Sequence, residues 1–197
     1  MITTRVLVVY ASRHGATQGI AERIATTLAQ YGLEVTVGPV ESAVDPADYD
    51  AVVIGSAAYF FRWMKKARQF VRRNRAVLAE RPVWLFSSGP LGTEANDDKG
   101  RDKRTVTVPK EIAEFIEAIH PRDHRVFFGA LIPSKLGFIH GLIFKMPANR
   151  DHAILPEGDF RDWNDIEHWA REIAQSLKAT ADGAVAAEVH DGGILVA

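Results

Sequence analysis

The 197-residue chain contains no cysteine. This single absence removes disulfide frameworks, thiolate metal sites, cysteine nucleophiles and thiol relays. Any redox chemistry must therefore be carried by a bound cofactor. A dominant charge is lacking as well: 24 Lys+Arg stand against 25 Asp+Glu, a formal net charge of −1, which gives no global reason to bind nucleic acid. Long apolar runs are also missing. The most apolar later stretch, 131–147, is broken by Pro133, Ser134, Lys135, His140 and Lys145, short of the roughly 20 apolar residues a membrane span needs. The opening residues, Met1 to Arg5, lack the basic region and apolar core of a secretory signal, so the expected location is the cytoplasm. His14, His140 and His152 share no ligand-like spacing, and no metal site is expected.

What is present is 47% hydrophobic residues, enough to fill one core but not two. Arg5 to Tyr10, Ala51 to Gly55 and Pro82 to Ser87 are continuous apolar or β-branched runs, the composition of strands covered on both faces. Shorter strands are expected at Glu34 to Val37 and Arg125 to Leu131. Between them, Ile20, Ile24 and Leu28 recur at helical spacing until Gly32 supplies a C-terminal cap. A cation-rich amphipathic helix is expected over Met64 to Leu78. Pro109 should open another carrying Ile112, Phe115, Ile116 and Ile119. Asp162 is the expected N-cap of a last helix with Ile166, Trp169, Ile173 and Leu177 on its inner face. Gly92 to Val108 reads as a long exposed loop, and Trp84, Trp163 and Trp169 as core residues. The domain is expected to span 1–178, with 179–197 a flexible tail of small residues. Five strands alternating with helices predict an α/β fold, a doubly wound five-stranded parallel sheet with helices on both faces.

Ligands of such sheets bind beyond the carboxyl ends of the strands, which singles out three loops. Ser12, Arg13, His14, Gly15, Ala16 and Thr17 place two hydroxyls and a glycine where a helix begins. Free N–H groups and the positive end of the helix dipole favour a phosphomonoester there, although Ser12 and Thr17 can also serve only as caps. The spacing matches neither G-x-G-x-x-G nor G-x-x-x-x-G-K-[ST], which argues against dinucleotide binding and phosphoryl transfer. Gly55, Ser56, Ala57, Ala58, Tyr59 and Phe60 run on into Phe61, Arg62 and Trp63. Small residues followed by aromatics suit the edge and face of a planar ring, with at least one aromatic reserved for the core. Ser87, Ser88, Gly89, Pro90, Leu91 and Gly92 form a bent loop able to aim N–H groups at ring carbonyls.

A strand, an S/T-x-x-G-x-T loop and a helix, followed by aromatic and glycine-containing loops after strands three and four, resemble the flavodoxin family. The resemblance implies strand order 2-1-3-4-5 and FMN as cofactor. Its phosphate would lie on Ser12 to Thr17, and its isoalloxazine between Ser56–Phe60 and Ser87–Gly92. His14 stands where that family usually carries a hydroxyl residue. Phe128-Gly129-Ala130-Leu131, the basic-apolar stretch through Phe144-Lys145-Met146, and Arg161-Asp162-Trp163 are similar to the menaquinone-dependent protoporphyrinogen IX dehydrogenase group. That similarity implies a reduced organic donor, with protoporphyrinogen IX as the candidate, and a quinone-like acceptor. A non-enzymatic electron carrier and a flavin-free binding domain are the alternatives.

Charge separates the first two. Arg62 to Arg104 carries a basic surplus of seven, and 151–197 an acidic surplus of seven. Positive charge near the flavin favours a two-electron oxidoreductase over a low-potential shuttle. Only Arg62 stands next to the aromatic loop, the other cations reading as a solvated helix face. The segment 133–150, with Phe138, Ile139, Leu142, Ile143, Phe144 and Met146 beside Lys135, Lys145 and Arg150, is expected to meet a membrane or quinone, or to pack on the sheet or across a homodimer.

Overall fold

The computed structural model describes residues 3–42, 44–132 and 156–191, with side chains described as far as 180. Strands β1 (Arg5–Ala11), β2 (Glu34–Pro39), β3 (Ala51–Tyr59), β5 (Val83–Ser88) and β6 (Asp123–Phe127) form one parallel sheet in the order β2-β1-β3-β5-β6. The short β4 (Arg62–Trp63) folds back antiparallel onto β3. A separate ribbon joins β7 (Ala130–Leu131) to β8 (Gly158–Asp159). The expected order of the five parallel strands is the observed one.

Helices cover both faces. α1 (Ala16–Gln30) and α6 (Trp163–Asp191) lie on one, where Val6, Val8, Val53, Trp84 and Phe86 alternate inward to meet Ile20, Ile24, Leu28, Trp169 and Ile173. α2 (Lys65–Arg73), α3 (Arg75–Ala79) and α5 (Glu111–Ile119) cover the other, against Leu7, Val9, Val52, Ile54 and Leu85. Period-two alternation in the strands and period-3.6 recurrence in the helices thus meet across two apolar layers. α1 ends as expected, with Gly32 at φ 82° donating its N–H to the Ala29 carbonyl. The Asp162 carboxylate caps α6 by accepting from the N–H groups of Asn164 and Asp165.

Several boundaries differ from the sequence reading. The expected helix 64–78 is two helices that meet at Asn74, where the backbone leaves helical geometry at φ −102°, ψ 13° and the side-chain amide donates to the Phe70 carbonyl. The fifth strand starts earlier and stops at Phe127. Pro109 precedes its helix by two residues rather than opening it. The loop 92–108 is partly ordered: Asn96 and Asp102 form a β-bridge, and α4 (Lys103–Val106) follows. The Asp97 carboxylate, accepting from the N–H groups of Lys99 and Arg101 and from the Arg101 side chain, is lowered to about 2 by those bonds. The expected tail is helical to Asp191, since its many alanines are good helix formers even without an apolar stripe. Trp163 is half-buried, lying between the guanidiniums of Arg23 and Arg161 at 4.9 and 4.3 Å from its ring centroid.

Candidate functional site

The carboxyl ends of β1, β3 and β5 converge: Ala11 pairs with Ser56, and Ala57 with Ser88. All three expected loops therefore open at one end of the sheet. In the first, Gly15 adopts φ 83° as the residue preceding α1, with no heavy atom within 4 Å of the position a Cβ would take. The glycine is required by its left-handed backbone rather than by lack of space. Its N–H donates to Ser12 Oγ at 3.0 Å, so Ser12 does cap the turn, yet it keeps its own hydroxyl hydrogen.

Thr17 lies in the first turn of α1, only 1% exposed, and its Oγ1 is buried without a hydrogen-bond partner. Nε2 of His14 is buried and unpartnered in the same way. Burial, with the Arg13 charge second, lowers the His14 pKa. Orphaned polar atoms cost about 1–3 kcal/mol each unless a ligand meets them. The first turn of α1 holds no acidic residue, and its leading N–H groups have no helical acceptor. Arg13 is exposed and unpaired among the described residues, while Arg161, gripped by Asp159, donates to the Ala16 carbonyl at 3.2 Å. Unused hydroxyl and ring-nitrogen donors, helix N–H groups and two guanidiniums fit a phosphate dianion.

The expected second loop is mostly strand. Ser56, Ala57, Ala58 and Tyr59 belong to β3, and a hairpin turn follows in which Phe60 and Phe61 take φ of 51° and 58°. Such turns favour Asn and Gly, yet here they present two exposed phenyl rings, Phe60 being 73% exposed. Trp63 is the aromatic that enters the core, 1% exposed and 5.4 Å from the Phe115 ring centroid. Ser56 has no hydroxyl to offer a ligand, since its Oγ donates to the Ala57 carbonyl and accepts from Met64 N–H. Ser87 is likewise committed: it accepts from Trp63 Nε1 at 2.7 Å and lies 2.9 Å from His124 Nε2. Tryptophan only donates, so Ser87 is the acceptor toward Trp63, and its oxygen also shares a proton with His124 Nε2, whose tautomer sets the direction of that bond. The sequence reading offered both serines as ligand contacts; their hydroxyls are spent inside the protein.

Tyr59 is partly exposed, and burial raises its pKa against the opposing charge of Arg13, so the first and second loops meet there. Arg62, singled out by its position, pairs instead with Glu111, a buried carboxylate also approached by Arg68 and accepting from Trp63 N–H. Arg13, unpaired among the described residues, is the cation whose charge is felt at Tyr59. In the third loop, Ser88 ends β5, Gly89 packs toward Ala58, and Gly92 takes φ 99°. Gly89 N–H donates to the Phe127 carbonyl, and Gly129 N–H to the Pro90 carbonyl, stitching Gly89–Leu91 to the end of β6. No group of side chains able to hold a metal occurs among the described residues. The segment 133–150, with His140, and His152 beyond it lie outside them.

Beside the third loop is a cleft of about 360 Å³, walled by Phe127, Phe128 and Phe160, with Arg104 and Arg161 among its charged lining. Sequence reasoning passed over it because its walls come from four distant segments. The tandem Phe127-Phe128 after a strand was the one available signal.

A flavodoxin-domain family model matches residues 7–153. The protoporphyrinogen IX dehydrogenase [quinone] of Escherichia coli (strain K12) is 26% identical over 178 residues, covering 86% of this chain and 94% of that protein. Among solved structures, a flavodoxin from the domain Archaea superimposes with a TM-score of 0.55 at 16% identity, over 88% of this chain and 99% of its own. The rubredoxin oxygen:oxidoreductase of Desulfovibrio gigas gives 0.56 at 15% identity, over 90% of this chain and 37% of its own. No helix among the described residues is long and apolar enough to cross a membrane. The chain belongs to the flavodoxin-domain family and is an FMN-binding protein.

Proposed function

We propose that the chain is an FMN-dependent oxidoreductase that takes electrons from a reduced organic donor, with protoporphyrinogen IX as the candidate, and delivers them to a quinone-like acceptor. The observation that carries the flavin site is the pair of orphaned buried atoms, Thr17 Oγ1 and His14 Nε2, beside the first turn of α1. The phosphate is assigned to Ser12, Arg13, His14, Gly15, Ala16 and Thr17. Thr17, His14 and Ser12 donate to its oxygens, while Arg13 and Arg161 offset its charge. The ring is assigned to Ala57, Ala58, Tyr59 and Phe60 on one side and Ser88, Gly89, Pro90, Leu91 and Gly92 on the other, without the hydroxyls of Ser56 and Ser87. When bound, FMN supplies reversible electron and hydride transfer; the protein contributes position, a dry wall and the Arg13 charge. Each turnover moves two electrons and two protons from the donor to one quinone, giving one quinol; carrying protoporphyrinogen IX to the porphyrin takes three such turnovers, six electrons and six protons in all, and three quinones.

Two features support an enzyme over a carrier: the unpaired Arg13 beside the aromatic loop, and the E. coli relative covering 94% of that protein's length. Mass spectrometry of the denatured holoprotein should identify FMN. Anaerobic mixing with protoporphyrinogen IX and menadione should then yield porphyrin and quinol together. Colourless protein that cannot be reconstituted with FMN would overturn the flavin site; FMN-loaded protein that oxidises no donor would overturn the enzyme in favour of the carrier.

A further inference from the structure

The third loop has two sides. On one, Gly89 packs toward Ala58 and the proposed ring position; on the other lies the 360 Å³ cleft, which shares Gly92 and Arg161 with the residues given a role toward FMN. Its walls are aromatic and fixed from behind. Phe127 is 2% exposed and packs edge-on against Trp169, with centroids 5.6 Å apart. Phe160 lies over the backbone of Gly158, where a Cβ would meet its ring at 3.0 Å, and its N–H donates to the Gly129 carbonyl. Phe128 faces Arg104, whose guanidinium carbon is 5.9 Å from the ring centroid.

The charges in the cleft are unequally engaged. Asp159 grips Arg161, Asp162 caps α6, and Asp165 is shared between Arg104 and Arg125. Arg161 is occupied by Asp159 and the Ala16 carbonyl. Among the described residues Arg104 is held by long contacts, 3.4 Å to Asp165 and 3.9 Å to Asp102, and its side chain is 45% exposed. At such lengths its hydrogen bonds are weak, leaving N–H donors at the mouth of an aromatic slot. Small-ligand pockets run from about 300 to 1,000 Å³; this cleft is at the lower end, the size for two fused rings rather than a four-ring macrocycle.

We propose that this cleft binds the flat, bicyclic head of a quinone, its faces against Phe128 and Phe160 and a carbonyl oxygen accepting from Arg104. As an acceptor site it rests on the flavin oxidoreductase reading; as a binding site it rests on the cleft alone. The test is equilibrium dialysis of menadione against the full-length, FMN-loaded chain. Wild type should bind. Phe128→Ser and Arg104→Met should each weaken binding fivefold or more with FMN content unchanged, while Phe128→Leu and Arg104→Lys, which keep an apolar wall and a donor, should stay within twofold. Protoporphyrin IX should not displace the quinone. Absence of menadione binding, equal binding by all five proteins, or displacement by the porphyrin would overturn the proposal. If the chain takes up no FMN, the flavin reading falls, and the same dialysis on the cofactor-free chain still decides the cleft.

Discussion

Polar side chains stand at the ends of β1, β3 and β5, at the same edge of the sheet, yet Thr17 and His14 are in a situation opposite to that of Ser56 and Ser87. Thr17 and His14 bury polar atoms with no partner. Ser56 and Ser87 bury theirs fully partnered, the first clamping the β4 hairpin through Met64 N–H, the second joining Trp63 to His124. At the end of the sheet where ligands bind, an unmet polar atom is available to a ligand, whereas a met one serves the architecture. The proposed phosphate end is thus made of side chains left unsatisfied, whereas the proposed ring end is made of backbone, small residues and aromatics held in place by serines that face inward.

The sharpest way to break the ring end is at Gly55. A Cβ there would lie 1.9 Å from Cζ of Phe86, inside a sheet where both residues are wholly buried. Gly55→Ala should cost about 3 kcal/mol or more, the upper range for overpacking a core, read as a lower urea midpoint. A midpoint within 0.5 kcal/mol of wild type would show that the ring moves freely.

The serine chain predicts a pH effect of similar size. Burial lowers His124 to about 4, with Asp123 opposing, so His124 stays neutral in the fold while hydrogen-bonded to Ser87. Its folded pKa lies below the unfolded value, and the unfolded chain binds the extra proton first. Its contribution to stability is complete above about pH 6.5 and disappears as pH falls toward 4, a loss on the order of 2–3 kcal/mol. Urea titrations from pH 7.5 to 4.5 should show this slope, and His124→Gln should flatten it. An unchanged slope in the variant would assign the acid sensitivity elsewhere.

Much of the architecture was legible because it follows from period and composition. The apolar runs at β1, β3 and β5 admit few alternatives to buried parallel strands, and the Gly32 and Asp162 caps stand where short-range hydrogen bonding requires them. The three loops were legible as places, since topology sends ligands to that edge. Side-chain direction was not. Ser56 and Thr17 read alike in sequence, and only the strand running on to Tyr59 turns Ser56 inward. Arg62 stood next to the aromatic loop in sequence, but Glu111, reached only through the tertiary fold, claims it, while the charge felt at Tyr59 is that of Arg13. The cleft at Phe128 was invisible for the same reason: Gly92, Arg104, Phe128 and Phe160 have no local pattern in common.

The phosphate end can be tested by a change that should have opposite signs on stability and binding. Thr17→Val replaces an orphaned hydroxyl with a methyl of the same shape. The cofactor-free protein should be unchanged or slightly more stable, because a buried polar atom without a partner is removed. FMN should bind about tenfold more weakly, the equivalent of one lost hydrogen bond at about 1.4 kcal/mol. Thermal melts of the cofactor-free protein and fluorescence titration with FMN separate the two. Unchanged FMN affinity would remove Thr17 from the phosphate site, and a destabilised cofactor-free protein would show that its hydroxyl is satisfied after all.

Ser56→Ala is the mirror image and the smallest effect. Met64 N–H loses its acceptor, and Ala57 C=O loses a donor, at the base of the β4 hairpin. Stability should fall by about 1 kcal/mol while FMN affinity stays within twofold, because the hydroxyl faces the interior and not the cofactor. The same pair of measurements, titration and melt, places the two substitutions on perpendicular axes: Thr17 moves binding and spares the fold, Ser56 moves the fold and spares binding. A loss of FMN affinity in Ser56→Ala comparable to that in Thr17→Val would mean that the β3 end contacts the cofactor through its serine, and the contrast between the two ends of the site would collapse.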